Sequence, residues 1–392
     1  MRIAIDCTSW ANGRGYGRFV RELVPPLCRI GASHEFLLLV EEENAARLEG
    51  LGDRARIVPV RLSEVPTRAA AADSSRSLGD MWRLRRAVSR ARPDLLFYPT
   101  VYTWFPPPFR MRSVVTIHDA IAERFPELCF GNARARLFWN LKVKGAIRLS
   151  DRVVTVSEHA RRDLERVLGI PGEKLSVAVE APGKAFRRIE DETRSRELWG
   201  RLGLPHGVRP FVYVGGFNPH KRLDLVIRAL AALGPGEAVA STPLVLVGAL
   251  DGDAFHGSIG EIRTLVDTLG IADRLRWPGF LPDADLALLH SGALALLLPS
   301  MCEGFGLPAV EAAACGAAVI ATSESPLPDL LRDAGHFVPP GDLAALTAAM
   351  QRLVDHPDEA RALGARGLER CGALSWDEAA GQVLRTIEEA AR

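Results

Sequence analysis

The chain of 392 residues lacks any apolar run of the roughly 20 residues that a bilayer-spanning helix needs; the longest is broken by His290 and Ser291. Its six cysteines, Cys7, Cys28, Cys129, Cys302, Cys315 and Cys371, show no CxxC or CxH spacing. That argues against a zinc site or a disulfide framework and reads as reduced thiols in a cytoplasmic protein. The opening residues, "MRIAIDCTSW", give one basic residue and then Asp6, which is not the pattern of a secretory leader. Net charge is nearly absent, with 49 Lys and Arg against 48 Asp and Glu, and no nucleic-acid partner is expected. The GxGxxG spacing is missing too, which disfavours a dinucleotide-dependent oxidoreductase.

What is present is a soluble globular composition, 47% hydrophobic and 25% charged, in a chain long enough for two domains. Strand-like runs such as "RIAID" (2–6), "EFLLLV" (35–40) and "SVVTIHD" (113–119) alternate with helical periodicity over Gly17–Ile30 and Ser157–Leu168. A second series, after residue 186, includes "PFVYVGG" (210–216), "LALLLPS" (294–300) and "AAVIAT" (317–322). The fold class is therefore α/β, with two doubly wound, Rossmann-like domains. The charged, Pro- and Gly-containing stretch 180–193 reads as the linker, dividing the chain into 1–185 and 186–374.

Charge is unevenly spread: residues 1–185 carry 30 basic against 21 acidic side chains. The basic ones concentrate in two expected helices, 76–92 and 132–152. They read either as solvated faces or as a surface drawn to anionic lipid or an anionic acceptor.

Ligands of a doubly wound sheet bind beyond the carboxyl ends of its strands, and the informative residues follow strands. "ANGRGYGRFVREL" (11–23) carries Gly13, Gly15 and Gly17, a turn able to approach a phosphate or sugar. His118 and Asp119 close a strand. Gly215 and Gly216 close another, with Lys221 near the next helix start, a natural clamp for a diphosphate. Asp251 and Asp253 resemble a DxD metal motif in a surface-turn context, and no metal site is expected there. "CEGFGLPAVEAAACG" (302–316) sets Glu303 and Glu311 around a Gly-rich turn, with a helix expected over Ala309–Ala318. Acids repel phosphate, so these two suit sugar hydroxyls.

That last segment resembles the Glu-x7-Glu element of the retaining glycosyltransferases of family 4. The likeness continues in order through the turn ending Gly17-Arg18, "VVTIHDAIAERFPE", "VTVSEHARRDL", "VYVGGFNPHKRLDLVIRAL", "PPGDLAALTAAM" and "LSWDEAA". It implies the GT-B architecture of two facing Rossmann-like domains, acceptor-binding in 1–185 and nucleotide-sugar-binding in 186–374. A last helix over 375–392 would rejoin the first domain. By resemblance Glu311 binds the donor ribose, Glu303 lies near the sugar, and Phe305, Gly306 and Leu307 supply backbone groups. Lys221 matches the diphosphate lysine, and His118 the histidine near the transferred sugar. Phe280, in Pro278-Gly279-Phe280, lies near the base. The arginine many members carry five positions before the lysine is Gly216 here, leaving His220, Arg222 or Arg18 to complete the clamp.

The resemblance implies a retaining, metal-independent hexosyltransferase without cofactor. It uses a GDP- or UDP-sugar, GDP-mannose first, and a glycan or lipid-linked acceptor in polysaccharide biosynthesis. A cytoplasmic protein is expected, peripheral at the inner membrane face through its basic half. A nucleotide-sugar epimerase, hydrolase or phosphorylase, or a silent binding subunit, shares the fold and stays open.

Overall fold

The computed structural model describes residues 1–392 except 14, 52–53, 64–76, 235, 237–241 and 249–258. The described residues form two compact units, Met1–Glu180 with Ser375–Arg392, and Ala181–Leu374. The boundary after Glu180 lies at the start of the expected linker rather than at 185.

The first unit is built on a seven-stranded sheet in the order β3-β2-β1-β4-β5-β6-β7. Its strands are β1 (Arg2–Asp6), β2 (Glu35–Glu41), β3 (Ala55–Val60), β4 (Leu95–Tyr98), β5 (Arg112–Thr116), β6 (Arg152–Thr155) and β7 (Leu175–Val177). The second has six, ordered β10-β9-β8-β11-β12-β13. These are β8 (Phe211–Val214), β9 (Leu244–Val247), β10 (Leu275–Gly279), β11 (Ala295–Leu298), β12 (Ala318–Thr322) and β13 (Gly335–Val338). All pairings are parallel. β4, β9, β11 and β12 are buried along their whole length, which is why they read as continuous apolar runs.

Helices of the first unit include α1 (Gly15–Ile30), α2 (Leu78–Ala91), α3 (Ala133–Leu149) and α4 (Glu158–Leu168). Ser157 is not inside α4 but caps it, its hydroxyl accepting from the Ala160 amide, and Gly169 closes it at φ 65°. In the second unit follow α5 (Glu192–Arg201), α6 (Leu223–Ala232), α7 (Ile259–Leu269), α8 (Asp283–Gly292), α9 (Leu307–Ala314), α10 (Leu343–Asp355) and α11 (Pro357–Cys371). α12 (Trp376–Ala391) belongs to the first unit, packing along α1 and over β4–β7. Trp376 meets Phe19 edge-on at 5.8 Å, and Val383 and Ile387, further along the helix, are buried. Each such side chain contributes about 1.5–3 kcal/mol of burial.

The small-residue helix differs from the expected Ala309–Ala318. It starts two residues earlier at Leu307, and Gly316, at φ 83°, turns the chain so that Ala318 already lies in β12. A Cβ on Gly364 of α11 would stand 2.0 Å from the Gly316 carbonyl, so this turn is closely packed from outside.

His290 of α8 is completely buried, and neither ring nitrogen has a hydrogen-bond partner among the described residues. Burial lowers its pKa to about 3. Below the ordinary imidazole pKa near 6.5 the unfolded chain takes up a proton that the folded chain refuses, so stability falls from there toward pH 3. Changing His290 to Leu should stabilise the protein by about 1–3 kcal/mol at pH 7.5 through the removed desolvation cost. The gain should widen as pH drops below about 6.5. Thermal melts across pH check this; a gain independent of pH would show that His290 does not stay neutral.

Candidate functional site

In the second unit β8 lies between β9 and β11, where the order of connections reverses. Loops leaving the carboxyl ends of two such strands diverge and open a crevice. Lys221 follows β8 and Glu303 follows β11. Across that crevice the Lys221 ammonium donates to both carboxylate oxygens of Glu303, at 2.8 and 3.0 Å. Ser300 Oγ donates to Oε1 of the same carboxylate at 2.6 Å. The loops are also joined by backbone, with the Met301 amide on the His220 carbonyl at 2.8 Å. Glu303 is only 7% exposed, so its charge rests on these donors.

The β8 loop is shaped by close approaches. The Tyr213 hydroxyl donates to the Gly216 carbonyl at 2.7 Å, and a Cβ on Gly248 would stand 2.2 Å from the Gly215 carbonyl. Asn218, between Gly216 and Lys221, is buried and its Nδ2 has no hydrogen-bond partner among the described residues. Sequence reasoning missed this donor; its signal was an amide side chain two residues after the Gly pair.

After β11, Phe305 is buried and Gly306 takes φ 89° as the N-cap of α9. A Cβ there would meet Leu327 at 2.8 Å, so both the conformation and the space call for glycine. Leu307 and Pro308 begin the helix; Pro308 has no amide proton and the Ala309 and Val310 amides donate to the Gly306 carbonyl, so the helix end offers the Leu307 amide. Glu311, one turn in, is 3% exposed. Phe280 follows β10 at the same sheet edge and is 66% exposed. Asp251 and Asp253 lie outside the described residues; among those described, no group of three or more His, Cys, Asp or Glu could hold a metal ion.

Gly15, Gly17 and His118 sit at the corresponding edge of the first unit. Gly17 is required by a fold-back of the preceding loop, since a Cβ would lie 2.2 Å from the Asn12 carbonyl. Gly15 has open space around its Cα. The His118 ring packs edge-on against Phe19 at 4.9 Å. Both of its nitrogens are buried without a hydrogen-bond partner among the described residues, and burial lowers its pKa to about 4, so it is neutral at pH 7. Asp119 is drawn to the Ile121 amide at 3.0 Å. Nearby, Tyr16 stacks on Tyr102 at 4.8 Å and Tyr102 meets Trp139 at 5.0 Å. Trp139 donates at 2.7 Å to Glu123, whose pKa burial raises to about 7. This aromatic and acidic cluster was not legible beforehand, because its members come from four separate segments.

A family model described as "Glycosyl transferases group 1" matches residues 196–370. A second, "Glycosyltransferase Family 4", matches residues 13–178. The chain is a family 4-like glycosyltransferase. The transferase is similar to the O-antigen chain mannosyltransferase B of Escherichia coli, 25% identical over 71% of this chain and 70% of that protein. It is also similar to the D-inositol 3-phosphate glycosyltransferase of Thermobifida fusca, 28% identical over 62% of this chain. It spans little more than half of that relative, 56%. Anabaena HepE, solved in complex with UDP-glucose, superposes with a TM-score of 0.74 at 18% identity, over 99% of this chain and 100% of that one. The fold is thus two-domain, Rossmann-like GT-B.

Within the transferase, Arg222 does not stand free to replace the absent arginine at Gly216. Its Nε and Nη2 donate to Asp224 at 2.9 and 3.1 Å, and its Nη1 contacts Met301 Sδ at 3.6 Å. Its backbone is left-handed, φ 54°, a conformation that costs a non-glycine residue on the order of 1 kcal/mol. The cations assembled at the β8–β11 crevice are thus Lys221, held by Glu303, and Arg222, held by Asp224.

Proposed function

We propose that the enzyme is a retaining, metal-independent hexosyltransferase. It moves a hexose, mannose by first choice, from a nucleoside diphosphate sugar to a glycan or lipid-linked glycan. The observation that carries this reading is the pairing of Lys221 with Glu303 across the β8–β11 crevice, beside the N-terminus of α9. An ammonium and a helix N-terminus suit a diphosphate leaving group, and carboxylates suit hydroxyls. The name of the Escherichia coli relative supports mannose and polysaccharide synthesis, and the HepE complex supports a nucleotide sugar with UDP as the second choice.

In the reaction, the bond between the anomeric carbon and the diphosphate oxygen breaks as the acceptor hydroxyl attacks from the same face. The hydroxyl proton passes to the departing phosphate. Lys221 and the Leu307 amide at the start of α9 stabilise the charge on that phosphate, the electrostatic term expected to dominate. Glu303 already accepts from Lys221 and Ser300, which suits holding charge and hydroxyls better than attacking carbon. Asn218 offers a further donor to the diphosphate. Glu311 takes the ribose and Phe280 lies against the base. The expected product keeps the anomeric configuration of the donor, and turnover persists in chelator. NMR of the early product decides it; an inverted product, or activity lost in chelator and restored by Mg²⁺ or Mn²⁺, contradicts it.

The acceptor end of the reading places the enzyme on the cytoplasmic membrane face. No helix among the described residues is long and apolar enough to cross a membrane. Leu78 and Trp82 of α2, and Leu137, Phe138 and Leu141 of α3, are nevertheless exposed among arginines and lysines. Apolar and basic side chains sharing a helix suit shallow, salt-sensitive binding to anionic lipid. Co-sedimentation should favour anionic over neutral vesicles and fade with salt; equal binding to both contradicts it.

A further inference from the structure

A second concentration of positive charge lies at the opposite edge of the second unit's sheet. Arg209 precedes β8 and Gly292 precedes β11, so these two mark the amino ends of the strands that carry Lys221 and Glu303 at their other ends, and Gly316 precedes the neighbouring β12. A cavity of about 370 Å³ opens there, lined by Arg188, Arg209 and Arg361 together with Trp199 and these two glycines. Arg209 spends one nitrogen on the Ala293 carbonyl at 2.9 Å. Its Nη1 is buried with no hydrogen-bond partner among the described residues. Burial lowers the Arg209 pKa, and the charges of Arg361 and Arg188, which line the same cavity, lower it further.

The carboxylates paired with this cluster sit outside it. Arg188 pairs with Glu190 at 3.0 Å and Arg361 with Asp358, and both acids are strongly exposed. Exposed pairs of this kind neutralise little. The walls are firm: Trp199 is held by its indole donating to the Val208 carbonyl at 2.8 Å, and a Cβ on Gly292 would stand 2.6 Å from its ring. A guanidinium nitrogen buried without a partner is unfavourable, and the side chain that carries it lines this cavity.

We propose that this cavity binds a phosphomonoester, its phosphate held by Arg188, Arg209 and Arg361 and its organic body against Trp199. Guanidinium forks match phosphate oxygens in pairs, and a dianion answers three converging cations better than a carboxylate does. The volume falls at the low end of the roughly 300–1,000 Å³ of small-molecule sites and exceeds what a bare oxyanion fills. The site is separate from the proposed diphosphate site, because the two lie at opposite ends of the same strands.

Calorimetry with mannose 6-phosphate, mannose and inorganic phosphate tests this on the full chain. Mannose 6-phosphate should bind more tightly than inorganic phosphate, and mannose should not bind. The Arg188→Ala/Arg361→Ala variant should bind the ester at least tenfold more weakly while keeping its affinity for a nucleoside diphosphate, which shows it folded. Lys221→Ala should leave ester binding unchanged. Absence of ester binding, equal affinity in the double arginine variant, or loss of binding in Lys221→Ala overturns the proposal. Inorganic phosphate binding as tightly as the ester removes the organic ligand from it.

Discussion

Replacing Lys221 by alanine is expected to slow transfer about 10²–10³-fold, the rate equivalent of about 3–4 kcal/mol of lost leaving-group stabilisation. The same change should also lower the melting temperature by several degrees. Glu303 would keep only Ser300 as a side-chain donor, and removing one partner of a buried ion pair costs about 3–5 kcal/mol. The two effects are separable. Adding Glu303→Gln removes the stranded charge and should restore most of the stability without restoring turnover. Melting curves and steady-state rates on the single and double variants check this. A Lys221→Ala protein that keeps more than about half its turnover contradicts the diphosphate role, and one that melts like the parent contradicts the pairing with Glu303.

The second large effect is expected to split the two carboxylates. Glu311→Gln should weaken nucleoside diphosphate binding about tenfold or more, since hydrogen bonds to a charged group contribute about 1.5–3 kcal/mol. Glu303→Gln should act differently. In the ligand-free protein Glu303 holds Lys221, so neutralising it releases the ammonium for a diphosphate. Affinity for the free nucleotide should then stay level or tighten while kcat falls, because the sugar that Glu303 serves is absent from the nucleotide. Calorimetry with nucleoside diphosphates beside steady-state kinetics reads both. Equal loss of nucleotide affinity in the two variants would falsify this division of labour.

The strands and the loops that follow them were legible in sequence because parallel strands buried on both faces are continuous apolar runs. β7 and β13 were missed for the complementary reason. Each is an edge strand of three or four residues, paired on one side, with most of its positions only partly buried. The α9 boundaries were displaced because Gly306 and Gly316 set them through backbone conformation, while the alanine run alone suggests a helix extending to Ala318. At the site, Lys221 and Glu303 stood out singly, but their contact spans 82 residues of chain and exists only because β11 inserts beside β8. The engagement of Arg222 by Asp224, the unpaired Asn218 amide and the raised pKa of Glu123 all depend on burial and rotamer, which no spacing encodes.

The central claim is that the β8–β11 crevice holds the nucleoside diphosphate of a sugar donor. A crystal structure of the protein soaked with GDP or UDP tests it most directly. The expected result is diphosphate density within hydrogen-bond distance of Lys221 Nζ and the Leu307 amide at the start of α9, with the ribose on Glu311 and Lys221 drawn away from Glu303. Nucleotide density elsewhere, with the Lys221–Glu303 contact intact, would contradict it.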